Sequence, residues 1–245
     1  MKTLIIIPSR LSASRLPGKP LLKINGLSII SHVFNKAVET NIGDVYVATE
    51  DQEIVDDVLK NGGRAVLTSR NHKTGTDRIY EALQKLKIKD VDLIMNLQGD
   101  EPEINIEDIV SLNKKMINNQ SKMGTLAAQM KDSKDLGNEN VVKVITNKNL
   151  NTDDVFSEAK NFLRRSSEIA NIYHHIGIYC YSTDTLKKFV ELNQSKNEIE
   201  NRLEQLRALD NNIDIKVALA NSSPIGVDTE EDYLALKKIM EYKNS

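Results

Sequence analysis

Between residues 4 and 97 the chain switches repeatedly between short apolar runs and segments whose apolar residues recur at helical spacing. This alternation limits the fold more than any other feature. Residues 4–7 read as a buried strand. Residues 27–39 place Ile29, Ile30, Val33, Phe34, Ala37 and Val38 on one helical face, closed by Gly43. A strand at 44–49, a helix at 52–60 stopped by Gly62-Gly63, a strand at 65–68, a helix from about 77 to 86 and a strand at 92–97 follow. The pattern predicts βαβ units in an α/β protein, with a mostly parallel twisted sheet flanked by helices and right-handed crossovers.

The second half is less regular. A helix is expected over 105–118, strands over 125–130 and 141–146, a strand over 173–181, helices over 185–192 and 199–208, a strand over 213–219 and a closing helix over 230–242. The polar tract 147–171 fits no element. No repeat, linker or composition break divides the 245 residues, so the sequence reads as one domain over 1–245, with a less regular, candidate dimer-forming portion around 147–220.

Composition excludes several classes of function. The formal net charge is −2, whereas a binder of nucleic-acid backbones normally carries a basic excess, so no nucleic-acid partner is expected. No apolar run approaches the length of a membrane span, and a cytoplasmic protein with no membrane partner is expected. The single cysteine, Cys180, lies in an apolar run and reads as a buried structural thiol.

In open α/β sheets ligands gather at the carboxyl ends of the strands. The polar constellations follow the predicted strands: 9–19, 50–51, 72–78 and 98–101. The first is the most distinctive, because Arg10, Arg15 and Lys19 alternate with Ser9, Ser12, Ser14 and Gly18. Cations interleaved with small residues suit a triphosphate, since backbone N–H groups can approach its oxygens while the side chains neutralise charge. A P-loop is excluded, because Ala13 stands where its first glycine is needed and Pro20 where it requires a hydroxyl. The first βα turn also lacks the G-x-G-x-x-G of a dinucleotide site.

The order P-S-R-x-x-x-x-R-L-P-G-K-P-L resembles the N-terminal signature of the 3-deoxy-manno-octulosonate cytidylyltransferases, the CMP-Kdo synthetases. The resemblance implies a Rossmann-like nucleotidyltransferase fold and places Arg10, Arg15 and Lys19 on the CTP phosphates. Residues 93–102, LIMNLQGDEP, run from an apolar strand into a second family signature. There Asp100 would bind a catalytic Mg²⁺, an oxygen-seeking ion, and Gln98 would lie by the sugar acid. Residues 225–232, IGVDTEED, supply Asp228 as the second implied metal ligand, beside Thr229 as a helix cap.

Residues 72–78 resemble the family's H-x-S-G-T-E-R, with Thr74 and Asp77 as like-for-like replacements. Ser9, Thr74, Gly75, Thr76 and Arg78 are candidate substrate contacts, while His72 taken alone reads as a solvent-facing loop residue. His174-His175-Ile176-Gly177-Ile178-Tyr179 resembles the H-x-G-I-Y strand. Only one of two neighbouring strand histidines can face a site, and the register with Gly177 favours His175. Leu203-Glu204-Gln205-Leu206-Arg207 matches L-E-Q-L-R, which makes Glu204 and Gln205 candidate sugar contacts.

Two departures bear on the acceptor. The family's Phe-Ser-Arg-Ala is here Phe156-Ser157-Glu158-Ala159, a reversal of charge, and Asn201 stands where a glutamate is usual. Arg164 or Arg165 could supply a cation in compensation, or the acceptor could differ. The sequence therefore predicts an enzyme that transfers CMP from CTP to Kdo with Mg²⁺ as cofactor, for lipopolysaccharide synthesis, and the resemblance implies a homodimer. The alternatives are a related acidic sugar, such as 8-amino Kdo or a nonulosonate, and a non-catalytic nucleotide-binding module.

Overall fold

The structure is a computed structural model, and it describes residues 1–12, 15–130, 132–150, 156–167 and 170–243. In chain order the first elements are β1 (Thr3–Ser9), β2 (Lys23–Ile24), β3 (Leu27–Ser28), α1 (Ile29–Glu39), β4 (Gly43–Thr49), α2 (Gln52–Lys60), β5 (Ala65–Leu67), α3 (Gly75–Leu86) and β6 (Leu93–Asn96). Next come α4 (Ile106–Asn118), β7 (Met123–Ala128), β8 (Lys143–Thr146), β9 (Phe156–Leu163) and β10 (Ile172–Ser182). The chain continues through α5 (Thr183–Glu191), α6 (Lys196–Asn201), α7 (Leu206–Asp210), β11 (Lys216–Leu219) and α8 (Glu230–Lys243). It packs as two compact units, one of residues 2–106 and 224–245, the other of residues 107–223 with Met1.

In the first unit β1 is central, parallel to β4 on one side and β6 on the other, and β5 extends the ladder beyond β4. Leu4 to Ile7 are at most 1% exposed, as expected of a strand covered on both faces by crossover helices. Helices α1, α2 and α3 start close to the predicted positions because each has its own cap or N-terminal turn. The Ser28 hydroxyl accepts from Ser31 N at the start of α1, and the Thr74 hydroxyl accepts from Asp77 N at the start of α3.

A small apolar cluster in this unit joins distant parts of the sequence. Ile24 and Ile29 pack with Val227, Leu236 and Met240, and Leu16, Leu22 and Tyr233 border them. Residues within and just after the cationic loop thereby share a core with α8, although about two hundred positions separate them in the chain.

The second unit is built differently. Its β7 runs parallel to β11 and antiparallel to β10, while β9 lies antiparallel to both β11 and β8, and the start of β10 also pairs with β8. The tract 147–171, unassigned from sequence, contains β9; its residues 151–155 and 168–169 lie outside those described. The single helix expected over 199–208 is two short ones. Arg202 takes a left-handed conformation with φ of 54° and ends α6, and Leu203-Glu204-Gln205 forms the turn before α7.

Candidate active site

A cavity of about 490 Å³ opens in the first unit at the carboxyl ends of β1 and β6 and the start of α3. Its walls come from three of the predicted loops and from the turn before α8. Ser9, Arg10, Ser12, Arg15 and Lys19 follow β1; His72, Lys73, Thr74, Gly75 and Arg78 lead into and through α3; Gln98, Gly99 and Asp100 follow β6; and Asp228 precedes α8.

The cationic loop is pinned at several points. Gly18 N donates to Leu11 O at 3.1 Å and Leu11 N donates to Asp51 Oδ2 at 2.7 Å, which fastens the loop to the turn after β4. Gly18 has a φ of 72°, a left-handed conformation that glycine adopts without a Cβ clash, and the chain then turns into a 3-10 segment at Lys19–Leu21. Gly99 serves another purpose: a Cβ there would stand 3.0 Å from Pro8 O, a tight contact, so glycine lets the turn after β6 close on the end of β1 without displacing it.

Lys19 is the hub of the charged groups. Its ammonium donates to Asp100 Oδ2 at 2.5 Å, to Asp228 Oδ1 at 3.3 Å and to Val227 O at 2.8 Å. Arg15 pairs with the other Asp228 oxygen at 2.9 Å. Asp228 arrives here because Val227, fully buried in the apolar cluster, donates its N–H to Asp100 O at 3.0 Å. On the following residues Asp232 accepts from Asp228 N and Thr229 N while Thr229 accepts from Asp232 N. The helix is thus capped by Thr229 and Asp232, which leaves the Asp228 carboxylate to the cavity.

Two carboxylates well separated in the sequence, Asp100 and Asp228, therefore converge on one cation. Among the described residues no cluster of three or more His, Cys, Asp or Glu side chains is placed to hold a metal ion. Two carboxylates nevertheless suit Mg²⁺, which commonly takes one or two from the protein and completes its shell with water and substrate phosphate oxygens. Glu101, beside Asp100, has a buried Oε2 with no hydrogen-bond partner. Burial, reinforced by the charges of Asp100 and Asp228, pushes its carboxyl up to about 8, so it is a neutral acid at physiological pH.

Several predicted contacts occupy other roles. Arg78 reaches the cavity, but its guanidinium donates to Glu50, to the Thr68 hydroxyl at 2.7 Å and to Ser69 O, and its side chain is only 4% exposed. It braces the turns after β4 and β5 from beneath. Thr76 is buried in the first turn of α3 and does not line the cavity. His72 is no solvent-facing loop residue, since it lines the cavity and its Nε2 meets the Glu81 carboxylate. Sequence reasoning passed over Glu81 and Glu101; Glu81 sits mid-helix outside any motif, whereas Glu101 was readable as the carboxylate next to a candidate ligand.

His175, Glu204 and Gln205 belong to the second unit. His175 is buried, edge-on to Phe162, with Nε2 3.1 Å from the Thr125 hydroxyl. Thr125 in turn donates to Ile178 O at 2.6 Å, filling a break in the β10–β7 register between Ile176 and Tyr179. Burial, with the neighbouring His174, lowers the His175 imidazole to about 3, so the ring is neutral. Gln205 is buried, and Glu204 lies beside Arg207.

The departures from the family pattern are absorbed within this unit. Glu158 lies opposite Lys216 across the β9–β11 ladder, accepts from its Nζ at 2.9 Å and also from Asn147. The Asn201 amide donates to Asn197 O inside α6. Arg164 spreads its guanidinium over the carbonyls of Asn201, Arg202 and Glu139. Arg165 pairs with Glu139 at 2.9 Å.

A cytidylyltransferase family model matches residues 4–215 of the chain. A 3-deoxy-manno-octulosonate cytidylyltransferase of Thermodesulfovibrio yellowstonii is 39% identical, with 98% of each chain covered. The protein belongs to the 3-deoxy-manno-octulosonate cytidylyltransferase family. The same enzyme of Afipia carboxidovorans is 42% identical over 97% of this chain and 96% of its own. Among solved structures, a CMP:2-keto-3-deoxy-manno-octonic acid synthetase complexed with CTP superposes with a TM-score of 0.89 at 32% identity, covering 99% of this chain and all of that one. An apo UDP-glucose pyrophosphorylase superposes with a TM-score of 0.76 at 13% identity, a likeness of fold alone.

Proposed function

We infer that the protein transfers the cytidylyl group of CTP to the C2 hydroxyl of 3-deoxy-D-manno-octulosonate, giving CMP-Kdo and pyrophosphate for lipopolysaccharide synthesis. The observation that carries this reading is the cavity lined together by Arg10, Arg15, Lys19, Asp100 and Asp228. A nucleoside triphosphate needs that density of fixed positive charge, and in-line phosphoryl chemistry asks the protein mainly to position groups and stabilise charge.

The acceptor oxygen attacks the α-phosphorus, the bond from that phosphorus to the bridging oxygen of the β-phosphate breaks, and pyrophosphate leaves. Arg10, Arg15 and Lys19 are proposed to neutralise the charge that accumulates on the leaving group. For Arg15 and Lys19 this requires exchange of carboxylate partners for phosphate oxygens, because Arg15 pairs with Asp228 and Lys19 with Asp100 and Asp228. Asp100 and Asp228, released from those pairs, are the residues that would hold Mg²⁺, which when bound supplies Lewis-acid polarisation of the α-phosphate. Gln98 and Gly99 would border the reacting centre. The resemblance assigns acceptor contacts to His175, Glu204 and Gln205, and they form part of this proposal.

Ordinary Kdo is favoured over an amino analogue because the negative charge of Glu158 is already matched by Lys216. CTP is a cytoplasmic nucleotide, which supports a cytoplasmic site of action; no helix among the described residues is long and apolar enough to cross a membrane. The homodimer implied by the resemblance is open to light scattering. The test of function is pyrophosphate release with Mg²⁺ across CTP, UTP, ATP and GTP, each with Kdo, 8-amino Kdo and sialic acid. Release with CTP and Kdo is the expected result, and release only with another pair would replace the reading.

A further inference from the structure

The segment from Ser69 to Gly75 joins β5 to α3 and contributes His72, Lys73, Thr74 and Gly75 to the cavity wall. Its far end is fixed by the Thr74 cap on α3. Its near end is fixed by a residue that does not line the cavity. Both carboxylate oxygens of Glu81 accept from Ser69 N, at 3.2 and 2.9 Å, and one of them meets His72 Nε2. Lys85, one turn further along α3, pairs with the same carboxylate at 2.7 Å. Burial alone would raise the Glu81 carboxyl, but the hydrogen bonds from Lys85, His72 and Ser69 outweigh it and hold the group down at about 2.

We propose that Glu81 is a positioning residue for the nucleotide: acting through His72 and Ser69, it sets the His72–Gly75 wall against a bound nucleoside triphosphate. An ionised carboxylate can only accept, so the His72 nitrogen facing it carries a proton. His72 lines the cavity, so the carboxylate that holds its ring also sets how that wall is presented. The arrangement matches the general case in which a residue with no ligand contact fixes the ring that makes one. This inference rests on the cavity being the CTP site, and it concerns affinity for nucleotide, whichever sugar accepts the CMP.

The experiment compares the full-length wild type with Glu81→Leu, which removes both acceptors, and Glu81→Gln, which keeps one. CTP binding is measured by calorimetry without acceptor, and KM and kcat are measured by pyrophosphate release. Glu81→Leu is expected to weaken CTP about tenfold in both assays while kcat and the acceptor KM stay within about twofold, and Glu81→Gln should recover most of the loss. The ¹⁵N shifts of the His72 ring should show one protonated Nε2 in the wild type and a tautomer mixture in Glu81→Leu. If Kdo proves not to be the acceptor, the calorimetric loss should remain, which separates the two claims. Unchanged CTP affinity in Glu81→Leu, or a fall in kcat matched by equal rises in both KM values, would overturn the proposal.

Discussion

The two units use charge in opposite ways. In the unit of residues 2–106 and 224–245 the ionisable groups collect in loops at strand ends, where Lys19, Arg15, Asp100 and Asp228 meet around an open cavity. In the unit of residues 107–223 they are built into the packing. Arg207 and Glu198 form a bidentate pair with both side chains 4% exposed, and Lys143, fully buried on β8, donates to the carbonyls of Asn138 and Arg164. The first arrangement stores charge for a ligand, so its partners are exchangeable; the second satisfies charge internally, where a lost partner leaves a desolvated ion.

This contrast predicts that substitutions of the charged groups around the first unit's cavity damage turnover, and that substitutions of the buried ion pair in the second damage stability. Asp100→Ala should lower turnover by at least about a thousandfold with an unchanged unfolding midpoint. Near-normal rates at saturating Mg²⁺ would remove Asp100 from the metal. Arg207→Leu should cost about 3–5 kcal/mol in denaturant titration, because Glu198 would stay buried without its cation. Pairing it with Glu198→Leu should restore part of the loss, and failure of that rescue would mean the charge pair is not what the single variant breaks.

A smaller effect concerns pH. The buried His175 imidazole sits near 3 in the folded chain, below its unfolded value of 6.5, so the unfolded state binds the extra proton between those values. Its contribution to stability is fully present above pH 6.5 and falls by up to about 1.4 kcal/mol per unit as pH drops below that. His175→Gln should flatten the slope of stability between pH 6.5 and 5 relative to wild type. Parallel slopes would show that His175 protonates freely in the fold. The smallest effect is expected from Glu158→Ala, since its pair with Lys216 is solvent-exposed: the acceptor KM should move less than about twofold. A large rise would return Glu158 to the acceptor site.

The same contrast explains what could be read from the sequence. The parallel βαβ unit was legible because its strands are apolar runs and its loops carry the chemistry, so Arg10, Arg15, Lys19, Gln98 and Asp100 stood out by place as much as by type, whereas Asp228, readable alone as a helix cap, was marked only by the family resemblance. Strand β9 stayed hidden because its inward residues, Ser157, Ala159 and Phe162, are interspersed with Glu158, Lys160 and Asn161, which gives no apolar run. The break between α6 and α7 was equally silent, since a left-handed Arg202 has no signature that glycine would have provided. Arg78 was recognised by its motif, yet its pairing with Glu50 depends on two turns meeting in space. Glu81 was missed for the same reason.

The central claim is that the cavity at the ends of β1 and β6 transfers CMP from CTP to Kdo, and ³¹P NMR of the purified protein with CTP, Kdo and Mg²⁺ tests it most directly. The account predicts that the CTP resonances give way to equal amounts of inorganic pyrophosphate and a sugar-linked CMP phosphodiester. CTP that persists unchanged, or decays to inorganic phosphate with no phosphodiester, would contradict it.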